Sequence, residues 1–209
     1  MENSSKKKLV VDIVICVSII LALIGIDIAT KLAVYYHFNG VEGSSITVID
    51  NFFWIYLTYN PGALASFLAD VNGGRIILSI LSILGSGFSI YYLVRRFNKL
   101  NIWLRIALYL FIPGCTGNLI DRVGIYGTPG VIDFLSFRLF GVWNFPVFNF
   151  ADMCLTVSIF ILLIYFIFFD KEKSDNKIEE ELASIDDQKT ETNENINQIE
   201  DDKNDDLHS

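Results

Sequence analysis

Four apolar stretches divide the chain, at about residues 9–28, 76–94, 102–120 and 150–169. Each is close to the roughly 20 residues that an α-helix needs to cross about 30 Å of hydrocarbon. Between the first and second, residues 46–59 are dense in β-branched and aromatic types. So are residues 131–148, between the third and fourth. Both read as short strands. Asn60-Pro-Gly62 is a turn signal, and residues 63–70 fit a short surface helix. The pattern predicts an all-α membrane protein with four transmembrane helices. Its two outer connections form a small extracytoplasmic β-sheet and a short surface helix, with aromatics at headgroup level.

Charge sharpens this picture by its placement. Mean hydropathy is +0.44 and the sequence pI is near 4.7, a contradictory pair for a chain of net charge −8. Residues 170–209 carry 15 acids and 5 lysines, which leaves 9 acids and 11 bases in residues 1–169. The expected organisation is therefore a membrane domain over 1–169 and an acidic, disordered cytoplasmic tail over 170–209. An acidic soluble globule is excluded. No basic stripe marks a nucleic-acid partner.

Basic residues also orient the helices. Lys6–Lys8, the group Arg95, Arg96 and Lys99, and the group Lys171, Lys173 and Lys177 flank alternate ends of the spans. The first connection, about 35–74, has no Lys or Arg at all. The positive-inside rule then puts both termini in the cytoplasm and both long connections outside. The first apolar run is too long for a signal-peptide core and lacks a small-x-small cleavage site, so it is read as retained.

Several chemistries drop out. Cys16, Cys115 and Cys154 lie singly in apolar stretches, without the spacing of a disulfide framework or a zinc site. His37 and His208 are the two histidines, and no HExxH occurs. Gly85-Ser86-Gly87 fits close helix packing better than a serine nucleophile. Neither metal nor cofactor is expected.

What remains is carboxylates at membrane depth, costly groups that mark function by default. Asp121 closes the third run and Asp152 opens the fourth, each about 26–29 Å from its helix's cytoplasmic end. Both belong near the outer interface. Asn118 with Asp121, and Asn149 with Asp152, place an amide and an acid three residues apart on one helix face. Asn149 and Asp152 also suit a plain helix start, a cap followed by a first-turn acid. Asp121 has no such explanation, since it opposes the dipole at a helix C-terminus. Two facing carboxylates share a proton, so one serves as general base and the other as general acid. The helix ends favour ionised Asp152 and protonated Asp121. A proton-coupled four-helix transporter would also use intramembrane acids, but near the midplane and with repeat symmetry, and the two halves show no obvious repeat.

The motifs resemble those of the bacterial lipoprotein signal peptidases, the signal peptidase II family of intramembrane aspartyl proteases. The matching elements, in family order, are Asp27-Ile-Ala-Thr-Lys31, Asn60-Pro-Gly-Ala63, Gly117-Asn-Leu-Ile-Asp-Arg122, Val131-Ile-Asp-Phe134 and Phe148-Asn-Phe-Ala-Asp152. The resemblance spans residues 9–169. It implies Asp121 and Asp152 as the catalytic dyad, with Asn118, Arg122, Asn149, Asn60 and Asp27 positioning dyad and substrate. It further implies a diacylglyceryl-modified prolipoprotein as substrate, cut on the N-terminal side of the lipidated cysteine. The setting would be the bacterial cell membrane, with the lipid bilayer as partner and a monomeric enzyme.

Ile28, Thr30, Leu64-Ala65 and Ser158 depart from the family's usual residues, which bears on substrate and inhibitor fit. Asp27 with Lys31 also reads as an i,i+4 pair anchoring a helix end, and Asp133 as a polar loop residue.

Overall fold

A computed structural model describes residues 2–62 and 73–170. Helix α1 (Glu2–His37) is followed by strands β1 (Ser45–Ile49) and β2 (Phe53–Asn60). Next come α2 (Gly74–Arg96), a 3₁₀ turn (Phe97–Lys99) and α3 (Ile102–Arg122). Strands β3 (Val131–Leu139) and β4 (Trp143–Asn144) precede α4 (Phe150–Tyr165). The chain divides into two units, residues 1–162 and 163–209. In the second, the described residues end α4 and form a π-helical turn, Phe166–Asp170.

Four helical segments are long and apolar enough to cross a membrane: Leu9–His37, Gly74–Lys99, Ile102–Arg122 and Phe150–Phe168. The chain is thus a multi-pass membrane protein with a small antiparallel sheet. The first span outruns the apolar stretch read from sequence by nine residues. Hydropathy falls at Lys31, but that side chain is completely buried, so the helix passes through it. The surface helix expected at residues 63–70 lies outside the described residues, as does nearly all of the tail.

Apolar side chains mostly face outward. Only 6% of the most apolar window of the first span is buried, and Ile76, Leu84, Phe88 and Phe160 are among many exposed large apolar residues. Lipid is the solvent for these faces, so the hydrophobic effect does not draw the helices together. Small residues do. A Cβ on Gly114 would sit 2.8 Å from the Ala151 carbonyl oxygen, and one on Gly117 would collide with the Asp27 carboxylate. These glycines let α3 approach α4 and α1 at backbone distance. Ser158 adds an interhelical bond, its hydroxyl donating to the Ala107 carbonyl at 2.8 Å. At its other end, the interior is apolar, with Cys16, Leu93, Phe97, Leu108 and Ile112 packed together.

The sheet order is β1-β2-β3-β4, all antiparallel. Leu57, Ile132 and Phe134 pack on Val34, Tyr35 and Phe38 at the end of α1, which fixes the sheet to the helices. The first four residues of β3 are all buried, so the in–out alternation of a half-exposed strand is missing there. A β2–β3 irregularity between Ile55 and Thr58 sets Thr58 opposite Asp133 and Asn60 opposite Val131. Phe148 bridges Leu135, which brings the start of α4 beside β3. The sheet therefore delivers Asp133 and Asn60 to the same place where α3 ends and α4 begins.

Candidate active site

The first turn of α4 is built from both sides. Asn149 is its cap: the Asn149 side-chain oxygen accepts from the Asp152 N–H at 3.0 Å, and Asp152 Oδ2 accepts from the Asn149 N–H at 3.1 Å. This is a reciprocal capping box with an acid in the third position. Asp27, from α1, accepts the Ala151 N–H at 2.9 Å. Three of the unsatisfied donors at a helix start are thus met by side chains.

Around this turn lies a buried polar cluster. Lys31 Nζ is 2.8 Å from Asp27 Oδ2 and 3.0 Å from Asp121 Oδ2, and it donates to Asn118 Oδ1 at 3.1 Å. Asp121 Oδ2 also accepts the Ile132 N–H at 3.1 Å. Asn118 Nδ2 donates to Asp152 Oδ1 at 2.7 Å. Asn149 Nδ2 donates to Asp133 Oδ1 at 2.6 Å and to Asn118 Oδ1 at 2.9 Å. On the far side of Asp133, Asn60 Nδ2 donates to its Oδ2 at 3.2 Å. Asn60 also accepts the Gly62 N–H at 3.1 Å, an Asx turn that holds its amide in place.

The residues picked out in the sequence therefore converge: Asp27, Asn60, Asn118, Asp121, Asn149 and Asp152 share one hydrogen-bonded cluster. Arg122 is tied differently. Its guanidinium donates to Ser82 Oγ of α2 at 3.4 Å, and its carbonyl accepts from Arg75 Nε at 2.7 Å. Two members of the cluster carry more weight than their sequence reading gave them. Lys31 is a hub for α1 and α3. Asp133 is 2% exposed and is a strand residue held between Asn149, the cap of α4, and Asn60, the last residue of β2.

Electrostatically, the carboxylates fall into two sets. Asp27 and Asp121 flank an ammonium. Among the described residues, Asp133 has no cation in hydrogen-bond contact, only the amides of Asn60 and Asn149. Burial, and next the like charge of Asp152, push its carboxyl up to about 7, against the smaller opposing effects of the Asn60 and Asn149 donors. Asp133 and Asp152 are joined through Asn149, which bonds to both. Asp152 is the partly exposed member. Such a pair, one acid holding a proton near neutrality and one in a helix's first turn where negative charge is favoured, is suited to general acid–base chemistry. Among the described residues, no group of three or more His, Cys, Asp or Glu side chains is arranged to hold a metal ion.

Comparison with known proteins agrees on one family. The family model described as signal peptidase (SPase) II matches residues 19–168. A protein of Clostridioides difficile (strain 630) named lipoprotein signal peptidase is 36% identical over 154 residues, covering 74% of this chain and 95% of that protein. The Fusobacterium nucleatum protein of that name is 32% identical over 163 residues, 78% of this chain and 92% of the relative. A solved structure titled as a bacterial membrane enzyme superposes with a TM-score of 0.61 at 27% identity, covering 77% of this chain and 90% of that one.

Proposed function

The chain belongs to the signal peptidase II family, and from that premise we propose that it is an aspartyl endopeptidase of the bacterial cell membrane. It removes signal peptides from diacylglyceryl-modified prolipoproteins, cutting on the N-terminal side of the lipidated cysteine. Its peptidase domain is residues 1–169, both termini are cytoplasmic, and the site opens near the outer face.

The catalytic residues in this reading are Asp133 and Asp152. Asp121 is replaced in that role, for a physical reason. Its Oδ2 is engaged by the Lys31 ammonium and the Ile132 N–H, and the hydrogen bonds of Asp152 run to Asn118 and Asn149. The observation that carries the reading is Asn149 joining the two acids, its side-chain amide donating to Asp133 and its backbone N–H to Asp152, with the Asp133 carboxyl pushed up to about 7.

The chemistry follows from that pairing. Asp152, its charge favoured by the α4 N-terminus, takes a proton from a water that attacks the scissile carbonyl. Asp133 gives its proton to the carbonyl oxygen, forming a neutral gem-diol. Return of a proton from Asp152 to the amide nitrogen lets the amine leave as the C–N bond breaks. Asp133 recovers its proton from the collapsing diol. The scissile bond lies between a membrane-spanning signal segment and a lipid-anchored cysteine, a junction that suits a site at the end of the helices rather than at their midplane. That depth also disfavours the transporter alternative.

Purified protein incubated with a diacylglyceryl-modified precursor and with its unlipidated form tests the proposal. Cleavage of the first and little of the second is expected. Equal cleavage of both refutes the substrate assignment, and near-normal turnover by Asp133→Asn or Asp152→Asn refutes the dyad.

A further inference from the structure

Lys31 takes no part in the proton transfers above, yet it is completely buried, and a charge in that position needs full pairing. An ammonium has three donors and no acceptor. That of Lys31 is ion-paired with Asp27 Oδ2 and Asp121 Oδ2, and it donates a hydrogen bond to Asn118 Oδ1. The third contact differs in kind from the other two. A carboxylate presents oxygen whichever way it turns, whereas the Asn118 amide has an oxygen end and an NH₂ end of nearly equal size.

An ammonium tolerates only the oxygen. With Oδ1 of Asn118 fixed on Lys31, where it also accepts from Asn149 at 2.9 Å, the NH₂ group must point the other way. There it donates to Asp152 Oδ1 at 2.7 Å. A half-turn of the amide would set NH₂ against the ammonium and against the Asn149 NH₂. It would also set oxygen against the Asp152 carboxylate. Three hydrogen bonds would become three repulsive contacts.

We propose that Lys31 is a positioning residue that locks the polarity of the Asn118 amide, and through it the orientation of Asp152. The inference rests on Asp152 acting in the peptidase reaction proposed above. It assigns α1, which contributes neither catalytic carboxylate, a part in aligning one of them.

A double-variant cycle tests it, using full-length purified protein and the lipidated precursor. Lys31→Met is expected to lower kcat about 10–100-fold, the loss of one hydrogen bond to a charged group, with KM within about twofold of the parent. Asn118→Ala should lower kcat similarly. The double variant should be no slower than Asn118→Ala alone, because both changes remove the same alignment. Losses that multiply in the double variant overturn the proposal, as does parental kcat in Lys31→Met.

Lys31→Met strands two buried carboxylates. If it does not fold, the triple variant Asp27→Asn, Lys31→Met, Asp121→Asn removes the whole charge set. A folded triple variant with the same kcat loss supports the proposal, and one with parental kcat overturns it. An inactive parent protein, or a fully active Asp152→Asn, refutes the peptidase reading instead. Undiminished turnover by Lys31→Met beside an inactive Asp152→Asn refutes only the role of Lys31.

Discussion

Asp133→Asn should make the protein more stable at alkaline pH while removing its activity. The folded protein holds the Asp133 proton up to about 7, against an ordinary carboxyl value of 3.8. Between those two values the folded state binds more protons than the unfolded state, so stability falls as pH rises. It is highest below about pH 4 and stops falling above about pH 7. Three pH units at about 1.4 kcal/mol each give a total of about 4 kcal/mol. Solvent screening reduces this little, because Asp133 is 2% exposed.

An asparagine in its place titrates nowhere in that window. It can still accept from one of the two amides that now hold the carboxylate. The variant should therefore gain on the parent by a few kcal/mol at pH 8 and by much less at pH 4.5. Tryptophan fluorescence in detergent micelles, followed through a denaturant titration at both pH values, reads the difference. A stability gap of equal size at both pH values would refute the reasoning, and so would a parent protein that strengthens as pH rises. In the background of Asp152→Asn the pH dependence should shrink without vanishing, since burial is the larger cause and the charge of Asp152 the smaller.

The remaining tests address the architecture. Asp121→Asn should melt earlier than the parent yet keep measurable cleavage, whereas Asp133→Asn and Asp152→Asn should fold and lose activity by about 100-fold or more. A folded, inactive Asp121→Asn beside an active Asp133→Asn would restore Asp121 to the dyad. Gly117→Ala should impair folding or lower the melting temperature sharply, because its Cβ collides with Asp27; unchanged melting would contradict the packing. Ser158→Ala should cost about 1 kcal/mol through the lost bond to Ala107, with kcat and KM toward the lipidated precursor unaltered. Deleting residues 170–209 should leave cleavage intact if the peptidase domain is residues 1–169.

The spans were legible because lipid-facing side chains are selected for hydropathy alone, and four stretches have it. The strands were legible from their β-branched and aromatic content. Depth along each helix was legible too, and it brought Asn118, Asp121, Asn149 and Asp152 to one level. Rotation about the helix axis was not, because it depends on which neighbour fills each face. Asp121 meets α1 and Lys31, a contact that nothing in the local sequence of α3 encodes. Asp133 was harder still. It reaches the cluster through the β2–β3 register and the Phe148 bridge, both set by residues far away in sequence. A usable signal existed in Val131-Ile-Asp-Phe134: a carboxylate inside an apolar run that lacks strand alternation marks a strand buried on both faces.

The bond from Ala151 to Asp27 joins residues 124 positions apart, and this orders events during synthesis. Helices α1 and α3, which carry Asp27, Lys31, Asn118 and Asp121, precede α4 in the chain, so every partner of the Lys31 ammonium is synthesised before the last span. Asp152, Asn149 and the Asp27-capped turn arrive only with the last span. A nascent chain with three helices made carries the groups of the ion pairs but not Asp152, the carboxylate that activates water in the proposed mechanism. On the proposed mechanism, the chain cannot activate water before its last span, which carries Asp152, is made.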